Sequence, residues 1–255
     1  MQGKTMINSG HVHIHQFGPG GAVVDAAALD QFQQQWATYG KLVSENSLSH
    51  REVMGMLHAT LADELATPFT FLDIACGDAR IMPEALRDVP VRHYHGIDLS
   101  EPALELAAAN LDELPCEVDL DHRDFFEALT RRTEHADAAW CSLSIHHLAT
   151  DNKLDVLKAI RDALGEGGIF LLYEPTRIDG EDRAGYLERF RQTNHPLWDY
   201  LSGPEWGQIW EHVTTCDFPE SAADWLEIGR AAGFGSGRRL FTDPTDLYQL
   251  FRFGA

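Results

Sequence analysis

The segment Phe71-Leu72-Asp73-Ile74-Ala75-Cys76-Gly77-Asp78 runs from apolar residues into a turn that carries a single glycine flanked by aspartates. A glycine there lets a ligand come close to the backbone. A dinucleotide site would need the fuller G-x-G-x-x-G pattern to admit a pyrophosphate, and Gly77 stands alone. Asp73 and Asp78 would repel a pyrophosphate; they suit a cationic or amino-bearing ligand. Asp98, in Ile97-Asp98-Leu99-Ser100, falls about 20 residues beyond Gly77, where an acidic side chain accepts hydrogen bonds from ribose hydroxyls. Arg123-Asp124-Phe125 sets a carboxylate beside a ring, a pair able to meet an exocyclic amine and cover a flat base. Cys141-Ser142-Leu143-Ser144-Ile145-His146-His147-Leu148 and Tyr173-Glu174-Pro175 end two further apolar runs. Groups able to take a proton in this set are His147, Tyr173, Glu174, His195 and Tyr39. Of these, His147, Tyr39 and Glu174 are the candidate catalytic residues.

These residues need elements to position them. Ala27, Ala28, Phe32, Trp36, Tyr39, Leu42 and Val43 recur at helical spacing, and a second helix is expected after Ser49, read as an N-cap with Glu52 three residues on. From Phe69, short apolar runs alternate with helical patterns. The strands are Phe69–Ala75, Tyr94–Leu99, Cys116–Leu120, Ala136–Leu143 and Gly168–Tyr173. Such alternation implies βαβ units and a parallel sheet. Residues Thr176–Phe218 break the rhythm with Tyr186, Phe190, Trp198, Tyr200, Trp206 and Trp210, and are read as a mostly helical insertion. Arg238–Thr242 and Leu247–Phe253 are joined by so short a connection that they must pair antiparallel.

Composition narrows the function classes. The 255 residues suit one sizeable α/β domain or a core with an insertion. Forty acidic against 20 basic residues give a formal net charge of −20, which repels phosphate backbones and anionic membranes. No apolar run is long enough to span a bilayer. Met1–Gly21 has no apolar signal-peptide core, so a cytoplasmic location is expected. Cys76, Cys116, Cys141 and Cys216 form no C-x-x-C pair, and no metal centre is expected from them. His11, His13 and His15 alternate in a Gly- and Gln-rich arm, read as a solvated tail rather than a metal site.

Taken in order, these motifs resemble those of class I S-adenosylmethionine-dependent methyltransferases of the small-molecule type, over about Phe69 to Phe253. Asp73–Ala79 resembles the family's D-x-x-C/A-G-x-G turn, with Ala79 in place of the second glycine. Ser142–Leu148 resembles its stretch after strand four, and Gly167-Gly168-Ile169-Phe170 its approach to strand five. The resemblance implies a Rossmann-like, mostly parallel sheet with a C-terminal antiparallel hairpin and helices on both faces, an N-terminal helical cap and a helical insertion after strand five. The implied division is a flexible arm over 1–24, a cap over 25–67, a core over 68–175 and 219–255, and a substrate-side insertion over 176–218. It implies S-adenosylmethionine as cofactor and S-adenosylhomocysteine as product. Asp73, Ala75, Cys76 and Gly77 would line the methionine end. Asp98 would hold the ribose and Leu99 pack on adenine, with Asp124 and Phe125 touching adenine and Ser142 near the amino group. Arg51 or Tyr39 would bind the methionine carboxylate; Trp36 and His50 could also face inward. The expected partner is a small-molecule methyl acceptor, attacked at O, N, C or S, with no nucleic acid and no membrane; a homodimer is left open. The alternatives are a protein or RNA methyltransferase and a nicotinamide-dependent oxidoreductase on a similar sheet.

Overall fold

The computed structural model describes residues 8–9, 12–16 and 37–255. The chain opens with β1 (Asn8–Ser9) and β2 (Val12–Gln16). The helix α1 over 37–44 and α2 (His50–Glu64) precede an alternating core. That core runs β3 (Phe69–Ile74), α3 (Met82–Ala85), β4 (Val91–Asp98), α4 (Glu101–Leu111), β5 (Glu117–His122), α5 (Phe125–Arg131) and β6 (Ala136–Ser142). A 3-10 turn (Ile145–His147), α6 (Thr150–Ala163) and β7 (Leu164–Arg177) follow. The expected insertion holds α7 (Arg183–Leu197) and α8 (Gly203–Cys216). The chain finishes with β8 (Glu220–Ser221), α9 (Ala222–Ala231), β9 (Ser236–Thr242) and β10 (Tyr248–Gly254).

The main path of the sheet is β1-β2-β5-β4-β3-β6-β7-β10-β9, with β8 pairing β7 off that path. The pairs from β2 to β7 are parallel, and β10 runs antiparallel to both β7 and β9. The Rossmann-like architecture expected from the motifs is therefore present. Connections step outward from β3 on one side and from β6 on the other. Their helices diverge between these two strands, leaving a crevice at the carboxyl ends.

Two corrections concern the N-terminal part. Within the arm expected over 1–24, β2 extends the sheet by pairing parallel with β5. Residue 11 and most of the arm, together with Trp36 and the start of the expected cap, lie outside the described residues. Ser49 does not cap α2: its backbone is left-handed (φ 50°) and its side chain makes no capping bond, whereas a capping residue needs extended backbone. Asn46 Oδ1 instead accepts from Arg51 N at 2.9 Å.

Period-two alternation sorts the strands onto two core layers. Phe69, Phe71, Trp140, Leu171 and Tyr173 face α2, α3, α4 and the insertion. Leu72, Ile74, Cys141, Phe170 and Leu172 face α5, α6 and α9. Buried on both faces, the central strands are nearly continuous apolar runs, and a polar residue among them belongs to one layer or the other by parity alone. The second layer is tight where α9 crosses β10: a Cβ on Gly229 would stand 2.3 Å from the fully buried Phe253 ring. Gly229→Ala, although it favours helix, should therefore lower stability by about 1–3 kcal/mol through overpacking, read as a lower urea midpoint at unchanged slope.

Candidate active site

Three strand ends meet at the crevice. After β3 the chain makes a turn in which Ala75, Gly77 and Ala79 all have positive φ (56°, 55° and 50°). Glycine accepts this backbone freely; the two alanines hold it against steric cost. Ala79 replaces the family's second glycine without changing the left-handed backbone expected there. Asp98, at the end of β4, accepts from Gly77 N (2.8 Å) through one oxygen and from Ser100 N (2.7 Å) through the other. Asp73 takes its face from Phe71, two residues before it, so it lies buried in the first layer, where it accepts the Tyr94 hydroxyl at 2.5 Å. It does not cap a helix.

These groups line a cavity of 370 Å³. Of the residues proposed to hold a cofactor, Asp73, Ala75, Cys76, Gly77, Asp98 and Ser142 are in its wall, with Tyr39 and His147 from the catalytic set. The wall is acidic at its base. Burial pushes the Asp73 carboxyl up to about 7, against the bond from Tyr94, and repulsion from Asp98 adds to the rise. Burial also raises Asp98, partly offset by its bonds from Ser100 and Gly77. Raised carboxyls facing one cavity favour a ligand that brings positive charge or donors.

Other candidates lie elsewhere. Leu99 is 70% exposed and outside the cavity wall. Asp124 caps α5, accepting from Glu127 N at 3.1 Å, and Phe125 packs on the second core layer. Arg123 N donates to Asp98 O (3.0 Å), so the β4 and β5 ends are tied together beside the cavity. Arg51 is exposed and lines a separate cavity with His58 and Glu84. The arginine in the wall of the 370 Å³ cavity is Arg80, paired with Asp78 at 2.5 Å. Its place two residues beyond the Gly77-Asp78 turn was the signal that could have found it.

Glu174 does not face the cavity. It is fully buried, one residue out of phase with Tyr173, and so points into the opposite layer. Its Oε1 accepts from Ile145 N (2.8 Å) and Ser144 N (3.2 Å), and its Oε2 meets His146 Nδ1 at 2.5 Å. It shapes the turn after β6 instead of meeting a substrate. Tyr39 Oη lies 3.1 Å from His50 Nε2. Burial and the nearby Asp78 push the phenol far up, with Arg80 opposing. Burial, then Arg80, holds the His50 imidazole down to about 4. A neutral imidazole therefore accepts from a phenol that stays protonated at neutral pH, which removes Tyr39 as a base.

A second cavity of 280 Å³ adjoins the first, with Tyr39, Leu143 and His147 in both walls. Its far wall is apolar and built by the insertion, with Phe190 and Trp198 from α7 and its end, and Ile209 and Val213 from α8. Tyr200 and Trp206, two further aromatic residues of the insertion, pack elsewhere: Tyr200 Oη contacts Ser47 Oγ at 2.5 Å, and Trp206 stacks on Trp210 and Phe190.

Residues 71–168 match the methyltransferase-domain family. No curated protein sequence matches the chain. Among solved structures, the magnesium protoporphyrin IX methyltransferase from Synechocystis PCC 6803, with S-adenosylhomocysteine bound, is similar (TM-score 0.61, 14% identity, 88% of this chain and 94% of that one). So is the plantazolicin methyltransferase BpumL in complex with S-adenosylhomocysteine (TM-score 0.62, 11% identity, 91% of each chain). The S-adenosylmethionine-dependent methyltransferase SibL gives a TM-score of 0.58 at 19% identity over 85% of this chain, which spans 57% of SibL. Among the described residues no helix is long and apolar enough to cross a membrane. With the β3 turn, Asp98 and the antiparallel end of the sheet in place, the fold is the Rossmann-like one of these methyltransferases, and residues 71–168 are similar to the methyltransferase domain.

Proposed function

We propose that the protein transfers a methyl group to a small-molecule acceptor held in the 280 Å³ cavity. The observation that carries this reading is the shared boundary: the acidic cavity at the strand ends and the apolar cavity under the insertion meet at Tyr39, Leu143 and His147. A cavity of this size, close to the lower end of the range typical of small-ligand sites, suits a compact apolar molecule with a few polar groups. The net charge of −20 opposes the alternative of an RNA acceptor. The isolated Gly77 opposes a nicotinamide cofactor.

S-adenosylmethionine supplies a methyl already activated on a sulfonium, so that the acceptor's lone pair forms the new bond while the carbon–sulfur pair stays on sulfur. The chain's task is then to position the acceptor and exclude water. Asp98 accepts from the ribose hydroxyls; Asp73 and Ser142 face the amino group; and Arg80 rather than Arg51 takes the carboxylate. His147 presents its imidazole to the acceptor's reacting atom, and Tyr39, its proton held by His50, forms part of the shared wall. The insertion's aromatic residues select the acceptor by shape.

Two measurements test this reading. Asp98→Ala should weaken S-adenosylhomocysteine binding by about 10–100-fold, as expected when charge-assisted hydrogen bonds are lost. Unchanged affinity by calorimetry would refute the cofactor assignment. Asp73 supplies a pH test. In the free protein it holds its proton up to about pH 7, whereas a bound ammonium favours the carboxylate. Affinity for S-adenosylhomocysteine should therefore rise as pH increases from 5.5 to about 7 and then level off, with proton release measurable by calorimetry in two buffers. Asp73→Asn should flatten that dependence.

A further inference from the structure

We infer that the second cavity holds a first-row divalent cation, zinc or a cation of similar preference, bound by His146, His147 and Asp217 with His212 as an additional donor. The role given to it below rests on the proposed acceptor site; the binding itself does not.

The geometry centres on one oxygen. Asp217 Oδ1 faces His146 Nε2 at 3.4 Å, His147 Nδ1 at 3.4 Å and His212 Nε2 at 3.7 Å. Asp217 is 5% exposed, yet this buried oxygen has no hydrogen-bond partner. Three imidazole nitrogens thus converge on a buried carboxylate oxygen without bonding it, an arrangement that is costly unless something sits among them. Donors about 2.1 Å from a tetrahedral zinc ion stand about 3.4 Å apart, which is the distance from Asp217 Oδ1 to the nitrogens of His146 and His147. Among the described residues, His146, His147 and Asp217 form the group whose donor atoms all lie within 4.8 Å of one another.

The surroundings are those of a ligating histidine. His146 Nδ1 is held by Glu174 Oε2 at 2.5 Å, and Glu174 is itself fixed by the backbone of Ser144 and Ile145. A carboxylate on the other ring nitrogen orients a metal-bound imidazole and leaves Nε2 free to ligate. This gives the fully buried Glu174 a use that a catalytic role would not. An imidazolium bridging two carboxylates would bond both at short range; here one contact is 2.5 Å and the other 3.4 Å. Cation binding would exchange the 3.3 Å contact between His147 Nδ1 and Cys216 O for a metal bond.

All four residues line the apolar cavity, and His147 also reaches the cofactor cavity. With His146, His147 and Asp217 as the firm ligands, the fourth position is one an acceptor can take in exchange for His212, whose contact is the longest at 3.7 Å, the pattern of catalytic rather than structural sites. A hydroxyl or carboxylate of the acceptor placed there would be held beside the methyl donor, and a hydroxyl would lose its proton to solvent more readily.

The test is a Co²⁺ titration of the full-length, cofactor-free protein followed by its d–d absorption, with Zn²⁺ displacement. Wild type should bind one cation per chain. Asp217→Asn and His147→Gln should abolish the spectrum at stoichiometric cation, and Glu174→Gln should weaken binding about 10–100-fold. Far-UV circular dichroism and retained S-adenosylhomocysteine binding would show that each variant folds. His195→Gln, in the insertion but outside the cluster, should bind as wild type does. No one-to-one binding, or binding untouched by Asp217→Asn but lost when His11, His13 and His15 are replaced by Gln, would overturn the site. Failure of S-adenosylhomocysteine to bind would count separately, against the methyltransferase reading.

Discussion

The site depends first on the Asp98 carboxylate, which spans the gap between the β3 turn and the β4 end. One oxygen takes Gly77 N and the other takes Ser100 N, so a single half-buried acid fixes two strand ends relative to each other. It shares the holding of the left-handed steps at Ala75, Gly77 and Ala79 with Cys76 N, which donates to Ile97 O at 3.0 Å, and Asn110 Nδ2, which donates to Asp78 O at 2.8 Å. The parallel sheet makes this bridge possible. Neighbouring strands β3 and β4 finish at the same edge, and the helices that follow leave in the direction that opens the crevice.

On the other side of the crevice Glu174 plays the comparable part. It lies near the carboxyl end of β7 and holds the backbone of Ser144 and Ile145 together with the His146 ring. The turn after β6 is thereby set so that Ser142 and His147 reach the 370 Å³ cavity while His146 looks toward α8. The insertion completes the enclosure. Asp217, just past α8, is brought against the histidine pair, and Phe218 N donates to His146 O at 2.8 Å to keep it there. The two carboxylates therefore divide the work, Asp98 shaping the 370 Å³ cavity and Glu174 the 280 Å³ one.

How much of this was legible in the chain varies by residue, for physical reasons. Gly77, Asp98 and Ser142 could be placed because each ends an apolar run, and in a parallel sheet the run ends converge at one edge. Glu174 ends such a run too, but a strand buried on both faces gives no polar alternation from which to read its facing. A shift of one residue separates Tyr173, on the cofactor side, from Glu174, on the other. Arg51 and Arg80 present a similar contrast. Both follow plausible turn signals, and only the packing of α1 and α2 onto α3 decides that Arg80 enters the cavity and Arg51 lies in another one. Ser49 failed as a cap because its backbone turned left-handed, a choice made by the 45–48 turn and not by residue type.

By itself, then, the sequence determined the strand–helix alternation, the single-glycine turn, the acids at the strand ends and the antiparallel finish. All of these are local, set by apolar period, glycine backbone freedom and connection length. The tertiary structure decided what meets across distance. His146 and His147 lie 71 and 70 residues before Asp217 in the chain, and His212 sits on a different helix; no spacing rule joins them. They come together because Glu174 fixes one side and the insertion folds back over the strand ends. Side-chain convergence of that kind arises from packing, which one-dimensional periodicity does not encode.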